Sequence, residues 1–160
     1  MRLRPALAGD FGFIRSVAGR ADYAPFITDE DEAALSAYLA DAAARVLIWE
    51  DDQGPRGFAL YAVPQDGAGV VELRRLALDE AGRGEGKAFL AAMIGYAFAD
   101  LGAKRLWLDA SGENLRAQAA YLRAGFVLEG RLRQHWYRPA LGRVVDLMIY
   151  GIMRDEWQGR

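Results

Sequence analysis

The most restrictive feature of this chain spans residues 70–110. A β-rich run, VVELRRLAL (70–78), leads into a turn with glycine at 82, 84 and 86. Twelve consecutive uncharged residues follow, from Ala88 to Ala99, and then RLWLDA (105–110), which carries no charge between Leu106 and Leu108. A strand, a helix apolar nearly all round and a second buried strand make a βαβ unit, whose crossover implies parallel pairing. Any fold for this chain has to be built around that unit.

The flanking segments supply the rest of a sheet. Arg2 to Leu7 reads as a short extended segment, and Phe11, Ile14 and Val17 have helical spacing between Asp10 and Gly19. A second helix is expected after Thr28 as N-cap, with Asp31 completing a capping-box pattern and Leu35, Tyr38, Leu39 and Ala42 forming its apolar stripe. RVLIWED and RGFALYAV straddle DQGP as a hairpin. ENLRAQAAYLRAG reads as a helix stopped by Gly125, and FVLEGRLRQHWYR and RVVDLMIYGIM form a closing hairpin around PALG. The expectation is an α/β (mixed α+β) single domain over residues 1–160, with a central, mostly antiparallel sheet of about seven strands and four helices.

Within VVELRRLAL the inward parity is odd at Val71 and Leu73 but even at Leu76 and Leu78. A one-residue slip of this kind is what a β-bulge at Arg74 and Arg75 produces. An unbulged strand buried on both faces is the alternative.

Composition removes several chemistries. With 52% hydrophobic and 26% charged residues the chain is globular, and a net charge of −2 gives no global attraction to nucleic acid or anionic membrane. Cysteine is absent, which excludes disulfides and an acyl-cysteine intermediate, and the single histidine, His135, excludes a His-cluster metal site. The longest uncharged run is too short for a membrane span, so a soluble, cytoplasmic protein with no metal is expected.

The glycine turn has the form of a phosphate cradle at a helix N-terminus. A Walker A loop aligned on Gly86 and Lys87 would need glycine at 81 and Ser or Thr at 88, and both positions are alanine. A dinucleotide fingerprint started at Gly82 meets Lys87 where its third glycine belongs. What remains is the general anion site, with Arg83 and Lys87 as cations that oppose the helix dipole unless a bound anion lies between them. A plain surface turn is the other interpretation of these residues.

Taken together, ELRRLAL, AGRGEGKA, the helix behind it and ENLRAQAAYLRAGF resemble the Gcn5-related N-acetyltransferases (GNAT), including the branch that acetylates ribosomal-protein alanine and serine N-termini. Gly84 and Gly86 match the family's phosphate loop, whereas Ala81 stands where that loop usually carries Gln or Arg. The resemblance implies acetyl-coenzyme A as acyl donor, with its pyrophosphate on the amides of Gly82, Arg83, Gly84, Glu85, Gly86 and Lys87. It also implies a pantetheine arm along Leu76, Ala77 and Leu78, in a slot where the strand splays from RLWLD.

Acetyl transfer to an amine needs a neutral amine and a proton for the departing thiolate. Tyr121 occupies the position the family often uses as general acid, and a phenol with a pKa of about 10 keeps its proton at neutral pH. For the base, the resemblance points to Glu72 or to Asp109, with pairing to a nearby arginine as the structural alternative for each. Asn114 resembles the asparagine that holds the pantetheine arm, and it is also a good helix N-cap. His135 reads as a solvated strand residue, Trp136 and Tyr137 as acceptor-pocket or hairpin residues, and the acids from Asp29 to Glu32 as ordinary first-turn acids or an attraction for a cationic acceptor. The resulting expectation is an N-acetyltransferase for a small-molecule or peptide primary amine, acting by direct attack in a ternary complex. A non-catalytic acyl-coenzyme A binding module is the alternative. A homodimer through the apolar last strand is also expected.

Overall fold

The computed structural model describes residues 1–80 and 84–158. Ala81, Gly82 and Arg83 of the glycine turn lie outside the described residues. Seven strands form one sheet in the order β1-β2-β3-β4-β5-β7-β6. They are β1 (Arg2–Pro5), β2 (Ala44–Asp51), β3 (Gly54–Ala62), β4 (Val70–Leu78), β5 (Arg105–Ser111), β6 (Val127–Arg138) and β7 (Arg143–Met153). Among the described residues, only β4 and β5 run parallel.

Two apolar layers cover the sheet. On one face lie α3 (Gly86–Gly95) and α4 (Leu115–Ala124), packed on Val71, Leu73, Leu106, Leu108, Tyr150 and Ile152. On the other lie α1 (Phe11–Ala18) and α2 (Glu32–Ala40), packed on Val46, Ile48, Phe58, Leu60 and Ala77. Leu106 and Leu108 are fully buried, so truncating either to alanine would cost about 2–5 kcal/mol.

The β4 slip is a bulge. Leu60 opposes Arg75 and Tyr61 opposes Leu73, so Arg74 is the extra residue. Beyond it, Leu76 and Leu78 meet the α3–α4 layer as Val71 and Leu73 do, whereas Ala77 meets the opposite layer. Pairing between β4 and β5 covers Val70 to Glu72 only, ending at the Glu72–Trp107 pair. The two strands splay from the bulge onward.

Three expectations change. The N-cap of α2 is Asp31, whose carboxylate accepts from the Ala34 amide at 2.8 Å. Thr28 does not serve, because the helix begins only at Glu32, and the Thr28 hydroxyl accepts instead from Arg138 at 3.3 Å. The last strand, β7, lies between β5 and β6 and has no free edge for a second copy; the free edges belong to β1 and β6. A fifth helix, α5 (Arg154–Gln158), follows β7. Arg154 donates to the carbonyls of Phe98 (2.7 Å) and Ala103 (2.9 Å), at the end of a π-helical turn, Tyr96–Asp100, that continues α3. Sequence spacing alone did not resolve that turn, because Tyr96 to Ala99 continue the uncharged run of α3 without a break.

Candidate active site

The splay between β4 and β5 opens into a continuous cleft of about 2090 Å³. Leu76, Ala77, Leu78, Gly84, Gly86, Lys87, Asn114 and Tyr121 all line it, as do Glu72 and Asp109. Side chains alternate along a strand, so Glu72 projects opposite Val71 and Leu73, and Asp109 opposite Leu108 and Ala110. Both carboxylates therefore leave the sheet away from the α3–α4 layer.

At the entrance to α3, Gly84 has φ +84°, a conformation that a side chain would strain. Gly86 differs: a Cβ there would meet nothing within 4 Å, so no neighbouring group of the chain requires glycine at that position. Glu85 is the N-cap residue and makes no side-chain cap bond, so its carboxylate claims none of the first amides of the helix. Open space at Gly86, uncapped amides and Lys87 together suit a bound anion.

Along β4, one edge of Leu76, Ala77 and Leu78 pairs with Ala59, Phe58 and Gly57. Strand β5 no longer reaches the other edge. The Leu78 carbonyl accepts from the Tyr23 hydroxyl at 2.7 Å, and the Asp79 carbonyl accepts from Arg20, which ties residues 20–23 to the end of β4. Asn114 caps α4, its Oδ1 accepting from the Ala117 amide at 3.1 Å. Gly125 ends that helix at φ 104°. The cap and the C-terminal turn together fix where Tyr121 points.

The two acidic candidates are not equivalent. Glu72 accepts from Arg74 at 2.8 Å (Nη2) and 3.2 Å (Nε), across the bulge. Asp109 makes no ion pair among the described residues. Burial, reinforced by the charge of Glu72, pushes its carboxyl up to about 6, although Arg75, Arg74 and His135 pull the other way. The Tyr121 ring packs edge-on to Tyr150 at 5.7 Å and against Phe126 at 5.9 Å. Burial, with smaller contributions from Asp109 and Tyr150, raises its phenol well above the ordinary value.

The acidic run near α2 is occupied elsewhere. Asp29 accepts from Arg15 at 3.4 Å, Asp31 caps α2, and Glu30 accepts from the Tyr38 hydroxyl at 3.2 Å. Glu30 also lies 2.6 Å from Arg75 Nη1, an ion contact outside hydrogen-bonding alignment. None of the four acids from 29 to 32 lines the cleft. His135 and Trp136 do line it, carried there by a wide irregularity of β6 between Leu132 and Trp136. At its centre Gln134 has φ 46°, and its amide donates to Asp146 at 2.8 Å. Sequence reading missed Arg138, Arg20 and Tyr23, each of which holds backbone carbonyls that no residue pattern marks.

Among the described residues, no group of three or more His, Asp or Glu side chains could hold a metal. No helix among them is long and apolar enough to cross a membrane.

The sheet order, the bulge-driven splay and the cleft agree with the acyltransferase expected from the sequence. Residues 12–126 match the acetyltransferase (GNAT) family, and the chain belongs to it. It is an N-acetyltransferase that takes its acyl group from acetyl-coenzyme A. Among solved structures it is similar to the spermidine N-acetyltransferase of Vibrio cholerae in complex with CoA and spermine. That match has 21% identity and a TM-score of 0.87, and covers 98% of this chain and 97% of the other. A chimaera of that enzyme with hSSAT matches at 22% identity and a TM-score of 0.86 over the full length of both chains. The dodecameric Vibrio cholerae enzyme matches at 23% identity and a TM-score of 0.80, covering 98% and 95%. These likenesses show the same fold and do not single out the ribosomal-protein branch.

Proposed function

We propose that this enzyme acetylates a primary amine of a polyamine by direct attack within a ternary complex, with Asp109 as the base. The observation that carries the reading is the contrast between the two carboxylates. Glu72 is bound by Arg74, whereas Asp109 is unpaired and raised to about 6 at the splay. A base of that strength is ionised at neutral pH yet still takes up a proton.

In this reading the amides of Gly82 to Lys87 hold the pyrophosphate, and the free edge of Leu76 to Leu78 holds the pantetheine arm as an added strand, with Asn114 beside it. The amine nitrogen attacks the thioester carbonyl, Asp109 removes the amine proton and the C–S bond breaks. Tyr121 donates its hydroxyl hydrogen bond to the departing sulfur. Because burial makes its phenolate costly, Tyr121 keeps its proton and stabilises the developing thiolate through that hydrogen bond, and the sulfur leaves as a thiolate that solvent protonates. The polyamine assignment is supported by the likeness to structures named for spermidine.

The test is thiol release from acetyl-coenzyme A over a panel of spermidine, spermine, free amino acids, peptides with free N-termini and amine antibiotics. Spermidine or spermine is expected to give the highest kcat/KM. A peptide N-terminus turning over faster than either would replace the polyamine assignment. Cofactor binding with no release on any amine would favour a binding module.

A further inference from the structure

Arg138, at the end of β6, is 4% exposed, yet among the described residues no carboxylate pairs with it. Its guanidinium is used in another way. Nη2 donates to the carbonyls of Ala24 (2.6 Å) and Ile27 (2.9 Å), Nε to the carbonyl of Pro25 (3.1 Å), and Nη1 to the Thr28 hydroxyl (3.3 Å). The same group lies 3.9 Å above the Trp136 ring. A buried cation without a counter-ion is a costly arrangement, and it persists only where its hydrogen bonds are filled. Here four acceptors from one short segment fill them.

That segment and Trp136 form one wall of the cleft, through Phe26, Ile27, Thr28 and the indole. Arg138 itself is fixed by its pairing with Arg143 in β7. Strands β6 and β7 thus hold, through one side chain, a stretch of chain more than a hundred residues earlier. We infer that Arg138 is the positioning residue that sets the acceptor wall, joining residues 24–28 and Trp136 into a single surface against which the amine substrate binds. Only a planar fork reaches all these acceptors at once; a lysine ammonium would keep one or two of them. The inference rests on the proposed role of Asp109 as base: its carboxylate leaves the sheet on the face of the α1–α2 layer, with which Ile27 packs, so the amine reaches it along this wall.

The experiment compares wild type with Arg138→Lys and Thr28→Val, using spermidine and acetyl-coenzyme A, and follows hydrogen exchange at residues 23–28. Arg138→Lys is expected to raise KM for spermidine about tenfold or more. KM for acetyl-coenzyme A should stay within about twofold, and exchange should rise selectively at 23–28. Thr28→Val, which removes one contact and leaves the buried cation in place, should act in the same direction more weakly and decides the matter if the lysine variant does not fold. Parallel rises in both KM values, or unchanged exchange at 23–28, would overturn the inference. A wild-type enzyme that ignores spermidine overturns the acceptor assignment, and selective exchange at 23–28 then still separates a working clamp from none.

Discussion

Asp109 owes its raised proton affinity first to burial and then to the charge of Glu72, whose carboxylate is itself ion-paired with Arg74 at 2.8 Å. One carboxylate is therefore engaged by an arginine and the other is free to accept a proton. Two acids with environments that differ in this way can take different roles at the same pH.

The first prediction concerns Asp109. Its acidic form is inactive as a base, so kcat/KM for the amine should rise with pH through about 6. Asp109→Asn should lower kcat by about a hundredfold or more and abolish that limb. Rate profiles from pH 5 to 8, at pH-corrected concentrations of neutral amine, check it.

The same shift carries a stability consequence. A carboxyl that binds its proton more tightly in the folded state loses stability as pH rises from its unfolded value near 4 to about 6, and the deficit persists above that. At pH 7 the penalty is about 3 kcal/mol. Asp109→Asn should accordingly melt higher than wild type at pH 7 by several degrees, and show little difference near pH 4. Thermal melts at the two pH values distinguish a group under functional strain from a stabilising one.

Glu72→Gln tests the coupling. Removing the charge eliminates one cause of the raised Asp109 carboxyl and releases Arg74, whose charge already pulls the other way. Both changes lower the proton affinity of Asp109. The acid limb of kcat/KM should move below about 6 with activity at pH 8 largely retained. A variant inactive at every pH would make Glu72 the base.

Much of this site was legible in the sequence because its parts obey local rules. The parity slip between Leu73 and Leu76 pointed to a bulge at Arg74 and Arg75, because a period of two needs one extra residue to keep both leucines on one face, and the pairing with β3 makes Arg74 that residue. The apolar crossover from Ala88 located the parallel pair. What stayed hidden depends on contacts made across the fold. The desolvation of Asp109 comes from elements packed around it, and the task of Arg138 is defined by carbonyls of residues 24, 25 and 27, which carry no side-chain signature. Thr28 shows the same limit from the other side. It has the right chemistry for an N-cap, and a long-range partner took its hydroxyl.

Tyr121→Phe keeps the ring contacts with Tyr150 and Phe126 while removing the hydroxyl. If that hydroxyl stabilises the departing sulfur, kcat should fall by about tenfold to a thousandfold with KM for acetyl-coenzyme A little changed. Replacing acetyl-coenzyme A with a donor whose thiol is more acidic should recover part of the loss, because a better leaving group needs less help. An unchanged kcat would reduce Tyr121 to a packing residue of α4.

Gly86 offers the cleanest test of the phosphate cradle. Substitution at Gly84 strains the backbone at φ +84°, so any loss there mixes folding with binding. At Gly86 a Cβ meets nothing within 4 Å of the protein, and Gly86→Val should leave the melting temperature within a few degrees of wild type. A pyrophosphate drawn to the amides of that turn would meet the added side chain directly. The dissociation constant for coenzyme A, measured by calorimetry, should rise about tenfold or more in Gly86→Val. Ala81→Gln, which adds the side chain usual in the family, should change it far less. Unaltered coenzyme A binding in Gly86→Val would move the cofactor phosphates away from this turn.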